Sequence, residues 1–89
     1  MRVRFPSDPP VYDGGNLLVR FAVEVDGTTL ACAISAEALE DHFGAASPLE
    51  TALLDAFGRG RARIEAVCRQ ALKESGGAAV VLHSGTFRL

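Results

Sequence analysis

Four side chains in this sequence can ligate a borderline or soft metal: Cys32, Cys68, His42 and His83. Zinc sites made from such residues use C-x₂₋₄-C or H-x₃₋₅-H pairs, because two ligands on one tight turn are already placed for a tetrahedron. Neither spacing occurs here. Both cysteines fall within apolar patterns, where a free thiol behaves as a small hydrophobe. The same inventory contains a Cys–His nucleophile pair, but Cys32 points inward from the middle of a strand. It is expected to be a buried, inert thiol with a raised pKa. His42 belongs to the last turn of a short helix, where an imidazolium complements the helix dipole. No G-x-S-x-G or P-loop pattern is present. Gly58-Arg-Gly60 lacks the third glycine of the dinucleotide fingerprint and follows a helix instead of a strand. The residues therefore predict no metal, no cofactor and no catalytic constellation.

The basic residues are the other candidates. Arg59, Arg63 and Arg69 or Lys73 recur at intervals that project them from the polar side of one helix, with Arg61 nearby. Such a row can contact phosphate backbone or an acidic partner. The plainer reading is a solvated helix face. Asp55→Arg59 and Glu65→Arg69 are i,i+4 pairs with the acid N-terminal, Arg61 and Glu65 form another, and Arg69 and Lys73 suit the helix C-terminus. No aromatic residues interleave with the basic ones, as stacking platforms for single strands require.

With 48% hydrophobic and 22% charged residues among 89, the chain has the composition of one small folded domain, residues 1–89. A domain this size buries only about 60% of the surface its unfolded chain exposes. The net charge is −2, which excludes a polycation acting by bulk charge alone. The charge is divided: residues 1–55 carry three basic and nine acidic side chains, whereas residues 56–89 carry six basic and two acidic ones. Such a division invites internal pairing or a second copy in reverse orientation. No segment reads as a membrane span or a signal peptide, so the expected compartment is the cytoplasm.

Residues 17–34 form the clearest element. Val19, Phe21, Val23 and Val25 alternate with polar or small residues, and Asp26-Gly27 has the chemistry of a type I′ hairpin turn. With that turn, paired positions sum to 53, and Val23/Leu30, Phe21/Cys32 and Val19/Ile34 share one face. Ser35 is an N-cap for a helix 36–43, and Gly44 stops it. Ser47-Pro48-Leu49-Glu50 reads as a capping box that opens a long helix 48–74. Its apolar stripe runs through Leu49, Leu53, Phe57, Gly60, Ile64, Cys68 and Leu72 and stays in phase across Gly58–Gly60, where a kink is plausible. Residues 78–83 read as a short buried strand, and Ser84-Gly85 can turn the chain back to let Thr86–Leu89 pair beside it. Val3–Phe5 reads as a short strand stopped by Pro6.

The order of these features resembles a small bacterial family, domain-of-unknown-function family 1488. The resemblance rests on Phe5-Pro6, Tyr12, Val19-Arg20-Phe21 and Val25-Asp26-Gly27. It continues through Leu30–Ile34 running into Ser35–Leu39, then Phe57, Arg61, Ile64-Glu65, the closing apolar strand and Phe87. It implies an α+β domain with no established activity, cofactor or catalytic residue. The expected architecture is accordingly α+β. A mostly antiparallel sheet, made of hairpin 17–34 and strand 78–83, packs against helix 48–74 and the short helix 36–43. Phe21, Val23, Leu30, Cys32, Ile34, Phe57, Ile64 and Leu72 form the expected core. The expected function is a non-enzymatic module that contacts an unknown protein partner or its own copies as a homodimer. Nucleic-acid binding through the arginine face is the alternative.

Overall fold

The computed structural model describes residues 1–88. The element order is β1 (Val3–Arg4), β2 (Val11–Asp13), β3 (Leu18–Val25), β4 (Thr28–Ser35), α1 (Ala36–Phe43), α2 (Glu50–Glu74) and β5 (Val81–Leu82), followed by a 3₁₀ turn at Ser84–Phe87. The β3–β4 hairpin is the spine of the fold. Its register pairs Val19 with Ile34, Phe21 with Cys32 and Val23 with Leu30, as the turn chemistry predicts. Asp26 and Gly27 both take positive φ, 51° and 84°, which is what a type I′ turn requires.

The sheet has the order β1-β3-β4-β5, with β2 also on β3. Every pairing is antiparallel except that of β5, which runs parallel to β4. The chain leaves β4, passes through α1 and α2 and returns to the neighbouring position, so a parallel crossover results. The strand expected over 78–83 contracts to Val81–Leu82. The return strand expected over Thr86–Leu89 does not form within the described residues; Ser84–Phe87 turns instead and buries Phe87. Leu89 lies outside the described residues.

Both helices lie on the face of the sheet that presents Val19, Phe21, Val23, Cys32 and Ile34, and α2 contributes Leu53, Phe57, Ile64, Cys68 and Leu72 to the same core. The Phe21 and Phe57 rings meet at 5.4 Å. Leu30 is only half-buried, because it borders an open depression between the hairpin tip and the end of α2. Ser35 caps α1 as expected, its Oγ accepting from the Ala38 amide at 3.1 Å, and Gly44 closes the helix with φ 72°.

The start of α2 differs from the expected capping box. Ser47 Oγ accepts from the Leu49 amide at 3.3 Å, one residue short of the Glu50 amide that a capping box bonds. Leu49 itself becomes the N-cap, extended and 69% exposed, and Pro48 stays outside the helix. The helix then continues unbroken through Gly58–Gly60. Gly60 is not a break but a seat. A Cβ there would fall on the Phe43 ring of α1, whereas nothing stands near a Cβ at Gly58.

Candidate functional site

The long helix spreads its basic residues over more than one flank: Arg61 and Arg69 turn toward the N-terminal segment, Arg59 and Arg63 toward the end of α1 and the 3₁₀ turn, and of the five only Arg61 is half-buried. Arg61 makes a 2.9 Å ion pair with Glu65, donates to the carbonyls of Pro6 at 3.1 Å and Asp8 at 3.3 Å, and lies 5.4 Å over the Phe57 ring. Arg63 sits 5.3 Å over Phe43 and 5.6 Å over Phe87, and donates to the Phe87 carbonyl at 3.4 Å. Arg69 covers Phe5 at 5.1 Å, and this stack takes the place of the expected Glu65→Arg69 pair. Arg59 keeps the expected pairing with Asp55 at 3.5 Å and donates to the Phe43 carbonyl at 3.4 Å. Lys73 stands apart, lining the depression at the hairpin tip with Met1, Asp26 and Gly77. Phe5, Phe43 and Phe87 come from distant parts of the chain, so the absence of aromatics within the basic stretch concealed the stacking. The four arginines fasten the N-terminal loop, the end of α1 and the 3₁₀ turn to the helix.

Ser84, Asp41 and His42 form a second polar cluster that the sequence reading passed over. Ser84 is 3% exposed. Its hydroxyl donates to Asp41 Oδ2 at 2.6 Å, and His42 Nε2 lies 3.0 Å from the Ser84 carbonyl and 3.2 Å from Ser84 Oγ. An activated serine gives its proton to the imidazole. Here the proton goes to the carboxylate, and the histidine stacks on Phe87 at 5.7 Å. The cluster docks the 3₁₀ turn onto α1. His42 thus acts through this link, beyond the dipole role expected from its place in the last helical turn.

Cys32 and Cys68 meet in the core, both free and without exposed surface. The Cys68 thiol is hydrogen-bonded to the Cys32 sulfur and pushed far above the ordinary thiol range by that bond and by burial. Cys32 accepts from Cys68 and from the Val80 amide, and against the opposing effect of burial it is drawn down to about 6. The raised pKa expected for Cys32 is not found there; the upward shift falls on Cys68 instead. The reason is a sulfur partner 36 positions away, which no local pattern reveals. No group of three or more metal-ligating side chains converges among the described residues.

Among the described residues no helix covers the outer face of the sheet. Its floor is Ala22 and Ala31, with Val11 62% and Val81 41% exposed beside it, while Ala33 on the same face is buried. Two ion pairs flank the floor. Arg4 meets Glu24 at 2.8 Å and Arg20 meets Asp13 at 2.8 Å. The Arg4 guanidinium holds Glu24 below the usual carboxylate range; hydrogen bonds from Asn16, then Arg20, do the same for Asp13. β1 and β2 pair with the two ends of β3 and leave Phe21, Ala22 and Val23 without a partner on that edge, though all three pair with β4 on the other. Pro6, Pro9 and Pro10 have no amide hydrogen, so the loop that crosses this gap cannot continue a ladder. The result is a groove of 520 Å³ walled by Asp8, Pro9, Val11 and Arg20 over Ala22 and Ala31.

Among the described residues, no helix is long and apolar enough to cross a membrane. No curated protein and no solved structure matches the chain. The family described as Protein of unknown function (DUF1488) matches residues 3–82, nearly the whole hairpin-and-helix frame, and the chain belongs to that family.

Proposed function

We propose that this protein is a non-catalytic protein-contact module of the cytoplasm that works through the bare face of its sheet, with a second copy of the chain as the first occupant. The observation that carries this reading is the composition of that face. Its alanine floor lets another sheet approach to the roughly 10 Å of face-to-face packing. Two of its arginines are already paired with two acids within the face, and Asp8 at the groove wall adds one further acid. Two copies therefore meet back to back with little net like-charge repulsion. The exposed valines add apolar area that a domain with one covered sheet face otherwise leaves in water. The arginine flank supports this choice by default, because its guanidinium groups already hold main-chain carbonyls, carboxylates and rings.

Light scattering after size exclusion tests the reading. A dimer that dissociates on dilution through the micromolar range is expected. Ala31→Glu, at an exposed position in the middle of the floor, should give a folded monomer. A wild-type chain that stays strictly monomeric at high micromolar concentration overturns the self-contact.

A further inference from the structure

We propose that the two copies of the back-to-back pair are related by a twofold axis parallel to their strands, so that β3 of one copy lies on β4 of the other and each Val11 meets the partner's Val81. This orientation rests on the self-contact proposed for the bare sheet face and adds which residues meet in it. The core face of the hairpin holds Val19, Phe21, Val23, Cys32 and Ile34. Side chains alternate between the two faces of a strand. On the bare face β3 therefore carries Arg20, Ala22 and Glu24, and β4 carries Thr29, Ala31 and Ala33. β3 is the bulky, charged half of that face, and β4 is the short, uncharged half.

The register sets the two valines at opposite ends of one row. Val11 pairs with Arg20, Arg20 with Ala33 and Ala33 with Val81. Val11 and Val81 are thus three strand spacings apart, about 14 Å. Both are exposed, whereas Ala33 between them is buried. The Arg20 guanidinium is bent aside onto Asp13, to which its Nε donates at 2.9 Å.

A twofold contact places one surface on a second copy of itself, and between two sheets the axis runs either across the strands or along them. An axis across the strands leaves every residue on its own side of the sheet. β3 then lies on the partner's β3, where Arg20 and Glu24 crowd the long side chains of the other copy. The short side chains of β4 face their counterparts over unfilled space, and Val11 cannot reach the partner's Val81. An axis along the strands, midway between β3 and β4, exchanges the two sides and keeps each row on itself. Arg20 then lies on the partner's Ala33, Ala22 on the partner's Ala31, Glu24 on the partner's Thr29 and Val11 on the partner's Val81. Long side chains meet short ones, as interdigitation between packed sheets requires. No charged side chain of β3 opposes its own counterpart, and the exposed valines cover one another at both ends of the row.

The test is cross-linking of Val11→Cys and Val81→Cys with bismaleimidoethane, whose reach is shorter than three strand spacings. Cys32 and Cys68 are fully buried and stay silent. Each variant alone should remain uncoupled, and their equal mixture should give a covalent dimer with an 11–81 linked peptide. A second measurement serves if a cysteine variant fails to fold or to dimerise. Val11→Lys and Val81→Glu should each raise the dissociation constant about tenfold, and mixing the two should restore it by pairing the new charges. A covalent dimer from either cysteine variant alone overturns the orientation. So does a mixture with neither link nor restoration while light scattering still shows the wild-type dimer; the back-to-back reading then stands without it. A wild-type chain that is strictly monomeric at high micromolar concentration ends both.

Discussion

Arg63 and Arg59 lie one helical turn apart and look alike in the sequence, yet their surroundings differ. Each donates to a carbonyl at 3.4 Å, but Arg63 is also laid across the Phe43 and Phe87 rings, whereas Arg59 adds only a surface ion pair with an acid that is 66% exposed. Cation–ring contacts contribute about 0.5–1 kcal/mol each at such sites, whereas surface pairs contribute about 0–1 kcal/mol. Arg63→Ala should therefore cost about 1–2 kcal/mol in urea unfolding, and Arg59→Ala no more than about 0.5 kcal/mol. Equal midpoints for the two variants would contradict the assignment. At this scale the sequence was legible where partners are local. Asp55→Arg59 and Arg61–Glu65 form as the i,i+4 spacing dictates. It was silent where partners are distant: Arg69 on Phe5, Cys32 on Cys68 and Ser84 on Asp41 join residues that only the folded chain brings together.

Among the elements, the hairpin was the most legible, because turn chemistry and period-two burial independently dictate one register. β5 was the least legible, since its two residues carry too little pattern to show their length or their direction. The two glycines of α2 sharpen the contrast between local and tertiary signals. By helix propensity alone, alanine at either position gains up to about 1 kcal/mol. Gly58 has open space around it, so Gly58→Ala should raise stability by roughly that amount. Gly60 faces the Phe43 ring of α1, so Gly60→Ala should destabilise, by about 1–3 kcal/mol for an overpacked contact. Thermal melts of the two variants, moving in opposite directions from the parent, are the check. Two shifts of the same sign would mean that the helices do not meet there.

At the scale of the whole molecule, α2 sets the dimensions. Its 25 residues run about 37 Å at 1.5 Å per residue, close to the longest extent of the molecule, 35 Å. Every other element is laid along this rod or the hairpin. Among the described residues a single ion pair, Arg59–Asp55, crosses the charge division seen in the sequence, while Arg61, Arg63 and Arg69 are occupied by main-chain carbonyls and rings at the two ends of the chain. Retention on duplex or single-stranded DNA should accordingly be absent at low salt. Binding that falls steeply with salt and disappears in Arg59→Ala, Arg61→Ala and Arg63→Ala would restore the nucleic-acid reading. The clasp at Arg61 has a mechanical corollary. Its guanidinium, rooted behind the sheet, grips the carbonyls of Pro6 and Asp8, and the loop it grips is one rail of the channel in front. The rear of the molecule thereby governs the width of its front, and a substitution that no visiting chain ever touches will loosen the doorway such a chain must enter.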